Sequence, residues 1–185
     1  MSNSQQHKWN ARYRLRQGPP PEAEAFLRDK LGLLRPGRVL DFACGDGRHA
    51  LLLAGLGHEV WGVDFASQGL SRMQHYARQQ GLQLHSIQAD LSQPAEVATL
   101  GQYHNLLVFR YKPEPEIMAL LPDLLLPGGR LFFATYNLLH AQRTGFPARF
   151  CLQQGELLQL WPNMKLLKYE TFEEESSDGY VFEKI

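Results

Sequence analysis

The sequence predicts an α/β fold: a seven-stranded, mostly parallel sheet with an antiparallel last strand and helices on both faces. Three observations predict it. From residue 38 onward, short apolar and β-branched runs alternate with amphipathic stretches, the pattern of successive strand–helix–strand units with right-handed crossovers. A small-residue turn, Ala43-Cys44-Gly45-Asp46-Gly47, joins the first such run to a helix. The last two strand-like runs are separated by Ser176-Ser177-Asp178-Gly179, a tight turn that makes the final strand antiparallel to the one before it.

The elements follow in order. Trp9 and Tyr13, four apart, mark one face of a helix over 5–16, which Gly18-Pro19-Pro20-Pro21 breaks. A second helix starts at Glu22, turns Phe26, Leu27 and Leu31 inward, and stops before Arg35-Pro36-Gly37. Strand one is expected over 38–42, a helix over about 47–56, strand two over 59–64, and a helix over 67–80 with Ser67 as its N-cap and Gly81 just past its end. Strand three is placed at 82–88, strand four at 105–109 in the centre of the sheet, a helix at 114–125 and strand five at 130–136. A looser region runs through Gly145-Phe146-Pro147, followed by a short helix at 154–160, strand six at 164–172 and strand seven at 180–185. The last strand is short, so either the edge is short or residues are missing there.

The 185 residues make a single domain, 1–185, that opens on the helices of 1–35. Apolar residues at 44% and charged residues at 21% are those of a soluble globular chain. Nineteen cations balance nineteen acids, so no global field draws the chain to nucleic acid or to an anionic membrane. Two distant cysteines, Cys44 and Cys151, make no disulfide framework, which points to a reducing, cytoplasmic setting. Neither a signal peptide nor a membrane span is evident.

Three acids end three parallel strands, Asp41, Asp64 and Asp90, and so share the rim where such sheets bind ligands. The turn between Asp41 and the helix brings bare backbone and helix N–H groups to that rim. Asp64 follows Asp41 by 23 residues, near the spacing of about 20 of a carboxylate that accepts ribose hydroxyls. Gly45-Asp46-Gly47-Arg48-His49-Ala50 also satisfies the G-x-G-x-x-G/A pattern of nicotinamide dehydrogenases. Asp41 argues against that reading, because a carboxylate at the strand end opposes a pyrophosphate and suits a cationic sulfonium and ammonium ligand.

Asp41-Phe42-Ala43-Cys44-Gly45-Asp46-Gly47-Arg48 followed by Gly62-Val63-Asp64-Phe65-Ala66 resembles the first two motifs of class I S-adenosylmethionine-dependent methyltransferases, which are Rossmann-like. The Cys-Gly-x-Gly-Arg form, with Trp9-Asn10-Ala11-Arg12-Tyr13, Val108-Phe109-Arg110-Tyr111 and Gly155-Glu156-Leu157-Leu158, is similar to a small bacterial subgroup that includes tellurite-resistance-type enzymes. The resemblance implies S-adenosylmethionine as cofactor. It places Ala43, Gly45 and Gly47 along the methionine end, Asp41 toward the ammonium, Asp64 on the ribose, Phe65 over the adenine, and Asp90 and Leu91 on the adenine edge. Phe109 and Arg110 would flank the sulfur and the acceptor. Trp9, Arg12 and Tyr13 would form a lid, with Arg12 near the cofactor carboxylate. The chain departs from the family pattern at Ala43, at Tyr103-His104-Asn105 and at Lys112.

Methyl transfer from a sulfonium is an in-line displacement in which alignment supplies most of the rate, and no residue is assigned as a catalytic base or metal ligand. His49, His58 and His85 read as surface or core histidines. The acceptor pocket is expected from Tyr13, Tyr111, Tyr136, Asn137, His140, Arg143 and Arg149. The expected partner is a small-molecule acceptor, without nucleic acid or membrane, for a monomer or homodimer. The alternative is a S-adenosylmethionine-binding module that regulates or interacts without catalysis.

Overall fold

The computed structural model describes the backbone of residues 3–185 and side chains from Ser4; Met1 and Ser2, the start of the polar N-terminus, lie outside them. The chain runs α1 (Asn3–Leu15), α2 (Ala25–Asp29), β1 (Arg38–Phe42), α3 (Arg48–Gly55), β2 (Glu59–Asp64), α4 (Ser67–Gln79), β3 (His85–Gln88), α5 (Pro94–Ala98), β4 (Tyr103–Phe109), α6 (Pro115–Leu120), β5 (Leu125–Tyr136), α7 (Leu138–Thr144), β6 (Met164–Phe172) and β7 (Ser177–Lys184). The seven strands form one sheet in the order β3-β2-β1-β4-β5-β7-β6. Strands β1 to β5 pair in parallel, and β7 pairs antiparallel to both β5 and β6. The last strand is therefore an interior strand and β6 forms the edge.

Alternation along the central strands builds two cores. Leu106 and Val108 of β4 and Leu131 and Phe133 of β5 face one way, joining Ile117, Met118, Trp161 and Tyr180. Leu107, Phe109, Phe132 and Ala134 face the other way and meet Phe26, Leu27, Leu53, Leu70 and Met73 of α2, α3 and α4. A sheet buried on both faces reads as continuous apolar runs, which is why β4 and β5 were legible.

Several boundaries differ from expectation for local reasons. The second helix begins at Ala25 rather than Glu22 and gives way to a 3-10 turn at Leu31–Leu33; the Glu24 carboxylate at its N-cap is spent on Arg48 and Arg110. Strand β3 starts at His85 because Leu82 N–H donates back to the Ala77 carbonyl and closes the end of α4. Helix α6 ends at Leu120 and continues as a 3-10 turn containing Pro122, which has no N–H to extend an α-helix. The segment 154–160 is a series of turns, with Gly155 at φ +70°. The hairpin turn lies at Glu173–Ser176, so Ser177, Asp178 and Gly179 belong to β7; the buried Asp178 carboxylate accepts from Asn137 Nδ2 instead of facing water. Helices α5 and α7 had no forecast.

The departures from the family pattern have structural uses. Buried Asn105 holds the backbone of Arg35 at both ends, each bond 2.8 Å, and fixes the entry to β1. Lys112 donates to the Cys151 carbonyl at 2.9 Å and pairs with Glu156 at 2.8 Å. Both cysteines are buried and free.

Helix α4 is capped from outside. Its N-cap is Ala66, which has no capping side chain. The Gln68 N–H instead donates to Asn10 Oδ1 of α1 at 2.9 Å. Replacing Asn10 with alanine is expected to cost about 1 kcal/mol and to lower the melting temperature by about 2–4 °C, while Asn10→Asp keeps the acceptor. A thermal melt that leaves Asn10→Ala unchanged would show that this cap contributes nothing.

Candidate active site

The carboxyl ends of β1, β2 and β4 bring the site together. After Phe42 the chain turns through Ala43 (φ +61°), Gly45 (φ +59°) and Gly47 (φ +85°), a succession of left-handed positions that only small residues take cheaply. The Gly45 N–H donates to Asp64 Oδ2 at 2.8 Å, and the Ala66 N–H donates to Asp64 Oδ1 at 2.8 Å. The loop after β1 and the acid ending β2 therefore face each other. Each carboxylate oxygen keeps a further lone pair for a hydroxyl donor. Asp41 accepts from the Ala50 N–H at 3.1 Å, one turn into α3.

Helix α1 is seated on this loop. Tyr13 is buried with Phe65 and Ala66, and its hydroxyl occupies the place a Cβ on Gly45 would take. Gln6 donates to the Phe65 carbonyl at 2.9 Å. Arg16 grips both oxygens of Asp46 at 2.9 and 2.8 Å, and Arg72 holds the carbonyls of Arg16 and Gly18. Sequence reasoning missed Gln6, Asn10, Arg16 and Arg72, whose roles depend on where α1 lies over α4. Trp9 and Arg12 sit on the outer side: Trp9 is stacked on Tyr13 and Arg12 is exposed with its guanidinium over the Trp9 ring. Tyr13, rather than these two, is the α1 residue seated on the loop.

Burial pushes the carboxyl of Asp41 up to about 7, against the Ala50 bond and nearby Arg48, and that of Asp64 up to about 6, against its backbone bonds. Both lie above the ordinary carboxyl value of 3.8. Their contribution to folding is thus present below about pH 4 and is lost as pH rises through 6 to 7. Burial also lowers His49 to about 3, aided by Arg48 and Arg110. It is a neutral core side chain, 4.2 Å from the Phe109 ring and accepting from the Glu24 N–H at 3.4 Å.

Asp90 accepts from the Ser92 N–H and hydroxyl, and Leu91 is buried. On the other side of the rim, Arg110 lies over the Tyr136 ring at 4.5 Å and His140 stacks on Tyr136 at 3.7 Å. Tyr111 leans on Phe42. Two expected pocket residues serve the framework: Asn137 caps α7 and holds Asp178, and Arg143 ties the carbonyl of Glu173 and the hydroxyl of Ser176. Arg149 lies exposed against Phe150. Among the described residues no cluster of His, Cys, Asp or Glu is suited to a metal ion, and no helix is long and apolar enough to cross a membrane.

A methyltransferase-domain family profile matches residues 39–129, the stretch that contains this loop and all three strand-end acids. Residues 39–129 thus carry a methyltransferase domain, and the similarities support a class I S-adenosylmethionine-dependent methyltransferase. The ubiquinone biosynthesis O-methyltransferase of Nitrosococcus oceani is 33% identical over 103 residues, covering 54% of this chain and 44% of that protein. The chain spans about half the length of the curated relatives it matches. Among solved structures, TehB of Haemophilus influenzae superposes with TM-score 0.72 at 17% identity, covering 88% of this chain and 63% of that one. The [4+2]-cyclase SpnF superposes with TM-score 0.67 at 14% identity, covering 85% and 78%. S-adenosylmethionine is the cofactor of the family.

The residues present fit that cofactor. A sulfonium with an ammonium group is cationic, and Asp41 and Asp64 are buried acids with lone pairs unspent beside a loop whose positions 43, 45 and 47 carry at most a methyl group. A cation beside Asp41 and hydroxyl donors on Asp64 would each favour the carboxylate form, so binding releases protons. Affinity for S-adenosylmethionine is therefore expected to rise between about pH 5.5 and 7.5. Calorimetry in two buffers of different ionisation enthalpy checks this; an affinity flat across that window would contradict it.

Proposed function

We propose that the protein transfers a methyl group from S-adenosylmethionine to a small-molecule acceptor. The observation that carries the reading is the Gly45–Asp64 bond, which sets a small-residue loop against a buried acid at the rim where the family holds its cofactor. In this reading Asp64 takes the ribose hydroxyls and Asp41 faces the ammonium. Ala43, Gly45 and Gly47 line the methionine end, with Phe65, Asp90 and Leu91 around the adenine. When bound, the cofactor supplies a methyl group on cationic sulfur, open to in-line displacement.

The chain's own part is alignment. The cofactor half of the rim, β1 to β3, carries the acids, and the half formed by β4, β5 and β7 carries Phe109, Arg110, Tyr136 and His140. An acceptor held over the second half would lie across the rim from the loop that would hold the cofactor. Buried His49, held well below its ordinary value, is a poor base there; an acceptor already anionic or soft needs none. Helix α1 must lift Tyr13 from Gly45 for the cofactor to enter and close again over it, which excludes water.

The test is a screen of candidate acceptors that reads release of S-adenosylhomocysteine against a control without acceptor. Turnover with one small molecule supports the reading. Tight cofactor binding with no turnover on any acceptor favours the binding-module alternative.

A further inference from the structure

The guanidinium of Arg110 is held on two sides and unpartnered on the third. Its Nε donates to Glu24 at 2.8 Å and its Nη2 to Glu175 at 3.1 Å. Its Nη1 is buried and has no hydrogen-bond partner among the described residues. A buried charged donor left unmade is costly, and such an orphan asks for an explanation. Among the described residues Arg110 is also one of three non-glycine residues at positive φ, +52°, a conformation that persists where the surroundings over-determine it and that clusters at ligand sites. The surroundings do so: Tyr136 lies beneath the guanidinium, and Glu24 also pairs with Arg48 at 3.3 Å.

The two glutamates are not equivalent. Glu24 has only 10% of its side chain exposed, whereas Glu175 stands in the β6–β7 turn with 50% exposed. The pair with Glu175 is the weaker and the more easily exchanged. Its departure would leave Nη1 and Nη2 side by side, the edge of a guanidinium that binds a carboxylate through two parallel hydrogen bonds. The exchange conserves charge, one carboxylate leaving as another arrives. Beside this edge, Tyr136, His140 and Phe146 form an aromatic cluster that remains partly open to solvent.

We propose that Arg110 recognises the methyl acceptor, and that the acceptor is an aromatic carboxylate whose oxygens take Nη1 and Nη2 in place of Glu175. This rests on the methyltransferase reading. Glu24 is then a positioning residue that holds Nε and aims the open edge, and Glu175 is an internal competitor for the site.

The experiment titrates the protein loaded with S-adenosylhomocysteine against benzoate, benzamide and benzylamine, followed by ligand-observed NMR. The wild type is expected to prefer benzoate. Glu175→Gln removes the competing charge on an exposed turn and is expected to tighten benzoate by about threefold or more while leaving benzamide within twofold. Arg110→Met is expected to weaken benzoate by about tenfold or more, with binding of S-adenosylhomocysteine retained. The inference is overturned if benzylamine is preferred and is weakened by Glu175→Gln, if Glu175→Gln leaves benzoate unchanged, or if Arg110→Met loses S-adenosylhomocysteine. Failure of the wild type to bind S-adenosylhomocysteine at all would instead remove the cofactor reading on which the proposal stands.

Discussion

Asp64→Ala is expected to weaken S-adenosylmethionine binding by about one to two orders of magnitude, because hydrogen bonds to a charged partner contribute roughly 1.5–3 kcal/mol each. The same substitution acts on the fold. It removes the acceptor for the Gly45 and Ala66 N–H groups in a buried place, and each donor left unmade costs about 1–3 kcal/mol. Asp64→Asn separates the two effects, since its amide oxygen can still accept one of those bonds while the charge is gone. Calorimetric affinity and the melting temperature should therefore both fall in Asp64→Ala, and mainly the affinity in Asp64→Asn. Unchanged affinity in both variants would reject the ribose assignment.

Gly45→Val is expected to be more damaging still. Residue 45 sits at φ +59°, where a non-glycine residue costs about 1–3 kcal/mol and a β-branched one stands at the upper end. Its Cβ would fall on the Tyr13 hydroxyl, so α1 could not seat there. The combined loss, about 3 kcal/mol or more, should appear as a clear drop in melting temperature and as faster proteolysis of residues 3–21, the segment that α1 anchors. Gly45→Val with wild-type stability and affinity would mean that the loop tolerates a different backbone and that the Tyr13 contact is incidental.

Much of the fold was legible because its signals are local. Strands β1, β2 and β6 begin and end where their apolar and β-branched runs do, at Arg38–Phe42, Glu59–Asp64 and Met164–Phe172. The antiparallel pairing of β7 followed from a turn signal, although the turn itself moved to Glu173–Ser176 because Asp178 finds its partner inside, on Asn137. Short helices escaped notice: α5 is five residues and α7 seven, too few for a 3.6-residue period to declare itself.

The site divides in the same way. Asp41, Gly45, Gly47 and Asp64 were readable because strand ends and left-handed turns leave marks in a single stretch of sequence. The anchoring of Asp46 by Arg16, the cap given by Asn10 to α4, and the grip of Glu24 and Glu175 on Arg110 join residues 30, 58, 86 and 65 positions apart. No periodicity encodes such pairs; they exist only once the sheet has placed three loops on one rim. Arg12 shows the converse, a residue implied by resemblance whose side chain this helix turns outward onto Trp9.

The most direct measurement of the central claim is calorimetric titration of the protein with S-adenosylmethionine beside an identical titration with NAD. The loop after β1 and the acid ending β2 predict one site for S-adenosylmethionine, with proton release on binding, and no measurable site for NAD. Saturable binding of NAD, or no binding of S-adenosylmethionine across pH 6 to 8, would contradict the account.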